Sequence, residues 1–422
     1  MNLTERDRKV LWHPYTQEKL APPPVGIVRG SGVWLETEDG RKILDAISSW
    51  WVNIHGHAHP FLNDALTKQA SEIEHLMFAG FTHRPAVELA ERLVRILPTN
   101  LTRVFYSDNG STAVEVALKM AYQFWQNRGE RRRKTFVALE HAYHGDTFGA
   151  MAASDASAFT KPFAPLLFNV LRAGNLEEIE RIFREKSGEI AAVIIEPMLQ
   201  GAGGMIVREK EFVAGVRKLC DEHGVLLIAD EVLTGFGRTG KMFACEHAGI
   251  SPDIICLSKA LTAGYLPLGA TVASEEIYAA FLSDDRLKTF FHGHSFTANP
   301  LSCAVAAASL ELFERKNCLD KIAFINRKFN ERLPKLLELN CVSDVRVIGA
   351  VGIIEIVSGD GYFANVGQTL YQEFLARNIL LRPLGNVLYF MPPYVIEERE
   401  IDWVFDEITE VLNDVNRKFY GK

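Results

Sequence analysis

The chain has 422 residues, 48% of them hydrophobic and 23% charged, with a formal net charge of −7. That length allows one large two-lobed chain or two to three domains, and the composition is ordinary for a globular protein. The acidic balance argues against nucleic acid or an anionic membrane as partner, and no apolar stretch reaches the roughly 18 residues of a membrane span.

The first residues, Met1 to Asp7, are polar and lack the apolar core of a secretory signal. Residues 1–24 read as an irregular arm closed by Pro22-Pro23-Pro24. Val33 to Thr37, the Asp39-Gly40 turn and Lys42 to Asp45 predict a hairpin. Ser48 to Gly56 is too loop-like and aromatic for a strand. Helices are predicted at Pro85 to Leu97, Thr112 to Trp125, Asn175 to Lys186 and Glu209 to His223, the last stopped by Gly224. Strands are predicted at Arg103 to Ser107, Thr135 to Leu139, Ile190 to Glu196, Val225 to Asp230, Ile254 to Leu257 and Gly269 to Ala273. The basic run Arg128 to Lys134 falls between a helix and a strand and reads as a solvated loop. This alternation implies an α/β layer with a mostly parallel sheet, whose ligands sit at the carboxyl ends of strands. A long helix then follows at Leu301 to Phe313, strands near Val345 to Ile356 and Val387 to Met391, and a helix from about Ile401 to Phe419. These predict a smaller α+β lobe joined by the N-terminal arm and hairpin. The six cysteines, at 220, 245, 256, 303, 318 and 341, form no CxxC pair and read as buried reduced thiols of a cytoplasmic protein.

The candidate functional residues fall at the predicted strand ends. Asp230 ends an apolar run and Lys259 follows the next one. A carboxylate and a lysine at the tips of neighbouring strands are what pyridoxal phosphate chemistry needs: the lysine binds the aldehyde, and the carboxylate keeps the ring nitrogen protonated. Ser107-Asp108-Asn109-Gly110-Ser111-Thr112 is either an ordinary capped turn or a helix start whose free N–H groups bind phosphate. Tyr143, in His141 to Gly145, either stacks on a cofactor ring or packs on the core. Glu196-Pro197 leads into the glycine-rich Gly201 to Gly204. Gly235-Phe236-Gly237-Arg238-Thr239-Gly240 is not a dinucleotide fingerprint, since no helix opens with it. His292-Gly293-His294-Ser295 offers donors, but no ligand partner at a spacing that suits metal. Arg382 is either paired structurally or clamps a carboxylate.

Taken together, residues 230–240, Pro252-Asp253 ahead of Ser258-Lys259, and Pro267-Leu268-Gly269-Ala270 resemble the class III (ω-amino) aminotransferases. The resemblance covers about residues 10 to 415. It implies fold-type I architecture, pyridoxal 5'-phosphate as cofactor and a homodimer with shared active sites. The implied division is 1–58 as N-terminal arm and hairpin of the small domain, 59–314 as the large cofactor domain and 315–422 as the rest of the small domain. Further segments, among them Trp12 to Thr16, Ser48 to Trp51, His55 to Pro60, Tyr143 to Thr147, Phe243 to His247 and Met391 to Tyr394, are similar to one branch. That branch transfers the amino group of S-adenosylmethionine to 8-amino-7-oxononanoate in biotin synthesis.

By this resemblance Lys259 binds the cofactor covalently and Asp230 pairs with its ring nitrogen. Gly110, Ser111, His294 and Ser295 hold its phosphate, the last two partly from the partner subunit. Tyr143 stacks on the ring. Trp50, Tyr143, Gly293 and Arg382 line the substrate site, and Tyr15 helps recognise the keto substrate. Two departures stand out. No acid occupies Gly201 to Gly204, where many class III enzymes carry a Glu, and Ser295 replaces a common Thr. The competing expectations are another ω-aminotransferase, or a relative that uses lysine as donor, and a non-catalytic protein of the same fold.

Overall fold

The computed structural model describes residues 2–357 and 365–417. Its centre is a seven-stranded sheet. In spatial order the strands are Leu101–Ser107, Gly269–Ser274, Ile254–Leu257, Leu226–Asp230, Ile190–Ile195, Thr135–Leu139 and Val170–Ala173. All are parallel except Gly269–Ser274, which runs antiparallel to both of its neighbours.

Three adjacent inner strands, Ile190–Ile195, Leu226–Asp230 and Ile254–Leu257, are parallel and buried at every position. Continuous burial is what a parallel sheet covered on both faces requires, and it explains why these segments lack polar alternation. The two faces are visible in the packing. Ile194, Ile228 and Cys256 join the apolar layer of helix Gly110–Asn127, through Val114, Ala117 and Ala121. Val193, Leu227 and Ile255 point the other way, into the layer of helix Lys210–His223, through Val213, Val216 and Cys220. Successive side chains on a strand alternate faces, so one apolar run feeds two cores.

A three-stranded antiparallel sheet, Val342–Ile348, Val351–Ile356 and Val387–Phe390, is packed by helices Cys318–Arg332 and Glu398–Val415. Residues 418 and 419, expected to extend that last helix, lie outside the described residues. The N-terminal strands Ile27–Ser31, Trp34–Thr37 and Lys42–Asp45 form a second small sheet. Ile379–Leu380 completes it, parallel to Lys42–Asp45. All six cysteines are buried and unpaired. Among the described residues no helix is long and apolar enough to cross a membrane.

Several elements differ from the sequence expectation. Helix Gly110–Asn127 starts earlier because Asn109 is its cap: the Asn109 side chain accepts from the Thr112 amide at 2.9 Å. Val170–Ala173 is an edge strand of four residues, too short to give an apolar period. Helices Pro60–Glu72 and Cys318–Arg332 were not anticipated.

Ser48, Ser49, Trp50 and Trp51 all have left-handed backbones, with φ of 53°, 49°, 80° and 76°. For L-residues each such position costs roughly 1–2 kcal/mol, so the turn must be held by its surroundings. Part of that hold is Arg238, which is fully buried. It donates to the carbonyls of Trp51 at 3.3 Å, Asn53 at 3.1 Å and Pro392 at 3.0 Å. The glycine-rich segment 235–240 is therefore a clamp between the large sheet and the N-terminal turn. Replacing Arg238 by Ala leaves three buried carbonyls without donors, and the loss is expected to reach about 3 kcal/mol or more. Urea unfolding of the purified variant measures it.

Candidate active site

Asp230 is the last residue of its strand, and in the parallel register it lies beside Cys256. Lys259 comes three residues past Cys256, in a left-handed conformation with φ of 46°. The strand ends thus put both side chains into one cavity of about 650 Å³. Its walls also include Gly110, Ser111, Tyr143, Glu196 and Trp51.

Asp230 is buried and pinned on both oxygens. Oδ2 accepts from His144 Nδ1 at 2.7 Å, and Oδ1 accepts from the Val232 amide at 3.1 Å. His144 is itself held by its own amide, which donates to the Ser154 hydroxyl at 2.8 Å. The other ring nitrogen of His144, Nε2, is buried without a hydrogen-bond partner. Nothing local in the sequence marks His144 for this contact, since residues 144 and 230 meet only in the fold.

Glu196 is a second buried carboxylate beside this pair. It accepts from the Tyr143 amide and the Gly201 amide, each at 3.0 Å. It therefore orients the Tyr143 loop and the glycine-rich loop together. Burial pushes its carboxyl up to about 7, opposed by His144 and reinforced by Asp230. In the sequence Glu196 is legible only as the end of an apolar strand.

Lys259 lines the cavity, and no hydrogen bond to its Nζ is found among the described residues. Its Nζ lies 4.4 Å from the centre of the Trp51 ring. Burial lowers its pKa to about 8; Asp230 and Glu196 oppose the shift and Arg238 adds to it.

Opposite Lys259, helix Gly110–Asn127 points its first turn at the cavity. A side chain at Gly110 would strike Val232, and one at Gly145 would strike the Ser111 hydroxyl, so both glycines let backbone close in. Ser111 Oγ lies 2.8 Å from Thr147 Oγ1 and accepts from the Thr147 amide at 2.9 Å. Backbone N–H groups at a helix start flanked by hydroxyls form an anion cradle. These features fit a phosphorylated cofactor with an aldehyde and a basic ring nitrogen. The cradle could take such a phosphate, Lys259 could meet the aldehyde, and Asp230 could face the nitrogen.

Tyr143 separates this cavity from a second one of about 320 Å³, lined by Ser157, Phe159, Ala202 and Leu384 among others. The Tyr143 hydroxyl is 3.2 Å from that of Tyr15, which also donates to Asp146. The Tyr15 ring meets Trp50 edge-on at 5.6 Å. The Arg382 guanidinium lies 5.0 Å from the centre of the Trp50 ring. Arg382 has no ion-pair partner among the described residues. Tyr15, Trp50 and Arg382 thus form a chain of contacts leading from Tyr143. Gly293, His294 and Ser295 are not brought to the cavity of this chain. Gly293 and Ser295 are exposed, and the His294 amide bonds Thr297 Oγ1 at 3.0 Å. Among the described residues no group of three or more His, Cys, Asp or Glu could hold a metal ion.

Comparison with known proteins gives a consistent result. The family of class-III aminotransferases matches residues 15–412. An adenosylmethionine-8-amino-7-oxononanoate aminotransferase of Synechococcus elongatus is 47% identical, over 96% of this chain and 99% of its own length. A protein of the same name from Geobacter sulfurreducens is 44% identical, over 98% of each chain. The crystal structure of the Methanocaldococcus jannaschii protein of that name superposes with a TM-score of 0.94 at 40% identity, covering 98% of both chains. An omega transaminase from Pseudomonas jessenii, solved in complex with PMP, also reaches 0.94, at 26% identity and with 100% of this chain and 99% of its own covered. With the match spanning nearly the whole chain and the strand-end lysine and carboxylate in one cavity, the protein belongs to the class-III aminotransferases.

Proposed function

We propose that this chain transfers the amino group of S-adenosylmethionine to 8-amino-7-oxononanoate, giving 7,8-diaminononanoate in biotin synthesis, with pyridoxal 5'-phosphate as cofactor. The relatives at 44% and 47% identity carry that activity in their names. The observation that carries the reading in the structure is Arg382 over the Trp50 ring, without an ion-pair partner among the described residues and next to the cavity that holds Lys259. A free guanidinium there suits the carboxylate of a long keto acid, whose apolar stem the tryptophans cover.

Bound pyridoxal phosphate supplies an aldehyde that joins to amines and a ring that takes up the electrons of a broken C–H bond. The chain's residues do the rest. Asp230, oriented by its hydrogen bond with His144, would hold a proton on the ring nitrogen. Gly110 and Ser111 bind the phosphate, helped by His294 and Ser295 of a second copy in a homodimer. Tyr143 covers the ring, and Gly293 of the second copy closes the substrate site. Lys259 Nζ takes a proton from the donor's α-carbon and later returns one to C7 of the acceptor. Tyr15 recognises the keto substrate. The sulfonium and adenine of the donor suit the aromatic wall of Tyr15, Trp50 and Tyr143. The setting is cytoplasmic.

Three measurements test this. Candidate donors are added singly to the cofactor-loaded protein while its visible absorbance is followed. S-adenosylmethionine is expected to bleach the band, and lysine and simple ω-amines to leave it. A response to lysine or ω-amines with none to S-adenosylmethionine would hand the reaction to another class-III activity.

A second measurement concerns Lys259. Its pKa, lowered to about 8, means that the amine is largely protonated below that pH and largely free above it. Covalent capture of pyridoxal phosphate by the cofactor-free protein should rise about tenfold per unit up to pH about 8 and then flatten. An ordinary lysine would keep rising for about two further units. Lys259→Ala should retain no cofactor after borohydride reduction.

Third, Arg382→Ala should raise KM for 8-amino-7-oxononanoate by about tenfold or more and change kcat little, as expected for a group that binds ground and transition states alike.

A further inference from the structure

A buried carboxylate outside the lining of the Lys259 cavity gathers an unusual set of donors. Asp45 ends strand Lys42–Asp45 and is fully buried. Its Oδ1 accepts from the amides of Ile47 at 3.3 Å and Ser49 at 2.8 Å. Its Oδ2 accepts from the Ser49 hydroxyl at 2.7 Å and from His57 Nε2 at 2.9 Å. The fold clears a path for that histidine. Gly32 and His57 exchange backbone bonds, at 3.2 and 2.7 Å. A side chain at Gly30 would strike the His57 side chain, and Gly56, with φ of 84°, brings the chain against Gly32.

What this carboxylate faces is the left-handed turn Ser48–Trp51. The two tryptophans of that turn are anchored differently. Trp51 is buried, its indole N–H donates to the Tyr389 hydroxyl at 3.0 Å, and its carbonyl is taken by Arg238. Trp50 is 40% exposed, and its ring meets Tyr15 and Arg382. The backbone of Trp50 is thus set by its neighbours in the turn, above all Ser49, which Asp45 grips at both amide and hydroxyl. Asp45 also pairs in register with Leu380, two residues ahead of Arg382, and the Ala46 amide donates to the Leu380 carbonyl at 3.2 Å. One strand end therefore sets the position of both members of the Trp50–Arg382 stack.

We infer that Asp45 is a positioning residue for the substrate site: with His57 and Ser49 it holds residues 48–51 left-handed and so keeps the Trp50 ring against the Arg382 guanidinium. Each of the four residues resists that backbone. Multiple donors on a buried carboxylate make a rigid acceptor that opposes relaxation to the right-handed region. The consequence for substrates rests on the function proposed above; the consequence for the turn does not.

The test uses the full chain and Asp45→Ala. Amide hydrogen exchange is read first, without substrate. The amides of Trp51, Val52 and Asn53 bond back to the carbonyls of Ile47 and Ser48 only while the turn is formed. In Asp45→Ala they should exchange about tenfold faster or more, with helix Gly110–Asn127 unchanged. Adding Ser49→Gly, which accepts φ of 49° without strain, should restore most of that protection. In steady state, Asp45→Ala should raise KM for both substrates about tenfold, leave kcat within about threefold and leave cofactor affinity intact, with partial recovery in the Ser49→Gly double variant.

Unchanged exchange at residues 51–53 would overturn the assignment. So would a joint fall in kcat and cofactor affinity without a KM change, or a failure of Ser49→Gly to restore either reading. If Asp45→Ala does not fold, Ser49→Ala replaces it. That variant removes only the hydroxyl contact, with about a threefold change expected in exchange and KM, and no change counting against the assignment. Should no response to S-adenosylmethionine be seen at all, the proposed function fails while the exchange result still decides on Asp45.

Discussion

Everything in the site follows from placing charged groups at the buried ends of a parallel sheet. Asp230, Glu196 and Lys259 stand together where water is largely excluded, and an uncompensated charge there is costly. The structure meets that cost with donors rather than with solvent. Asp230 takes His144 and the Val232 amide, and Glu196 takes the Tyr143 and Gly201 amides. The remaining tension appears in the pKa values. Burial pushes Glu196 up to about 7, so near neutral pH it is partly protonated and carries less than a full charge. Lys259 is lowered to about 8, which puts a free amine within reach of physiological pH.

The same donors that satisfy the charges also shape the walls. The two amides on Glu196 belong to the loops that carry Tyr143 and Ala202 into the cavity. The histidine on Asp230 belongs to the loop that runs on to Gly145, whose missing side chain admits Ser111. Removing any one of these groups would therefore disturb charge and shape together. Such coupling makes single-residue energies in this cluster non-additive.

The N-terminal segment is joined to this centre by a second set of buried polar contacts. Arg238, from the glycine-rich loop after the Asp230 strand, clamps the carbonyls of the Trp51 turn, and Ser48 Oγ donates to the Met391 carbonyl at 2.8 Å. The turn stores backbone strain that no local preference of Ser or Trp supports, and it sets Trp51 over Lys259. Strain at such a place is tolerated because the surrounding contacts over-determine it.

The parallel sheet is legible in the residues alone, because inner strands such as Ile190–Ile195 must be apolar throughout when helices cover both faces. The sequence also determined the Asp230 and Lys259 pair, because both follow recognisable strands. The turn at 107–112 was legible as a candidate phosphate site, though not the Val232 side chain that packs against Gly110. Tertiary structure alone decided the roles of His144 and Glu196, because hydrogen bonds spanning 86 and 53 residues leave no local pattern. It also decided the left-handed turn, since Ser-Ser-Trp-Trp has no intrinsic preference for positive φ and adopts it only against Arg238, Tyr389 and Asp45. Whether Arg382 was paired or free was likewise open in the sequence. Only the packing of strand Ile379–Leu380, which ends two residues ahead of Arg382, beside Asp45 put its guanidinium over Trp50, with no ion-pair partner among the described residues.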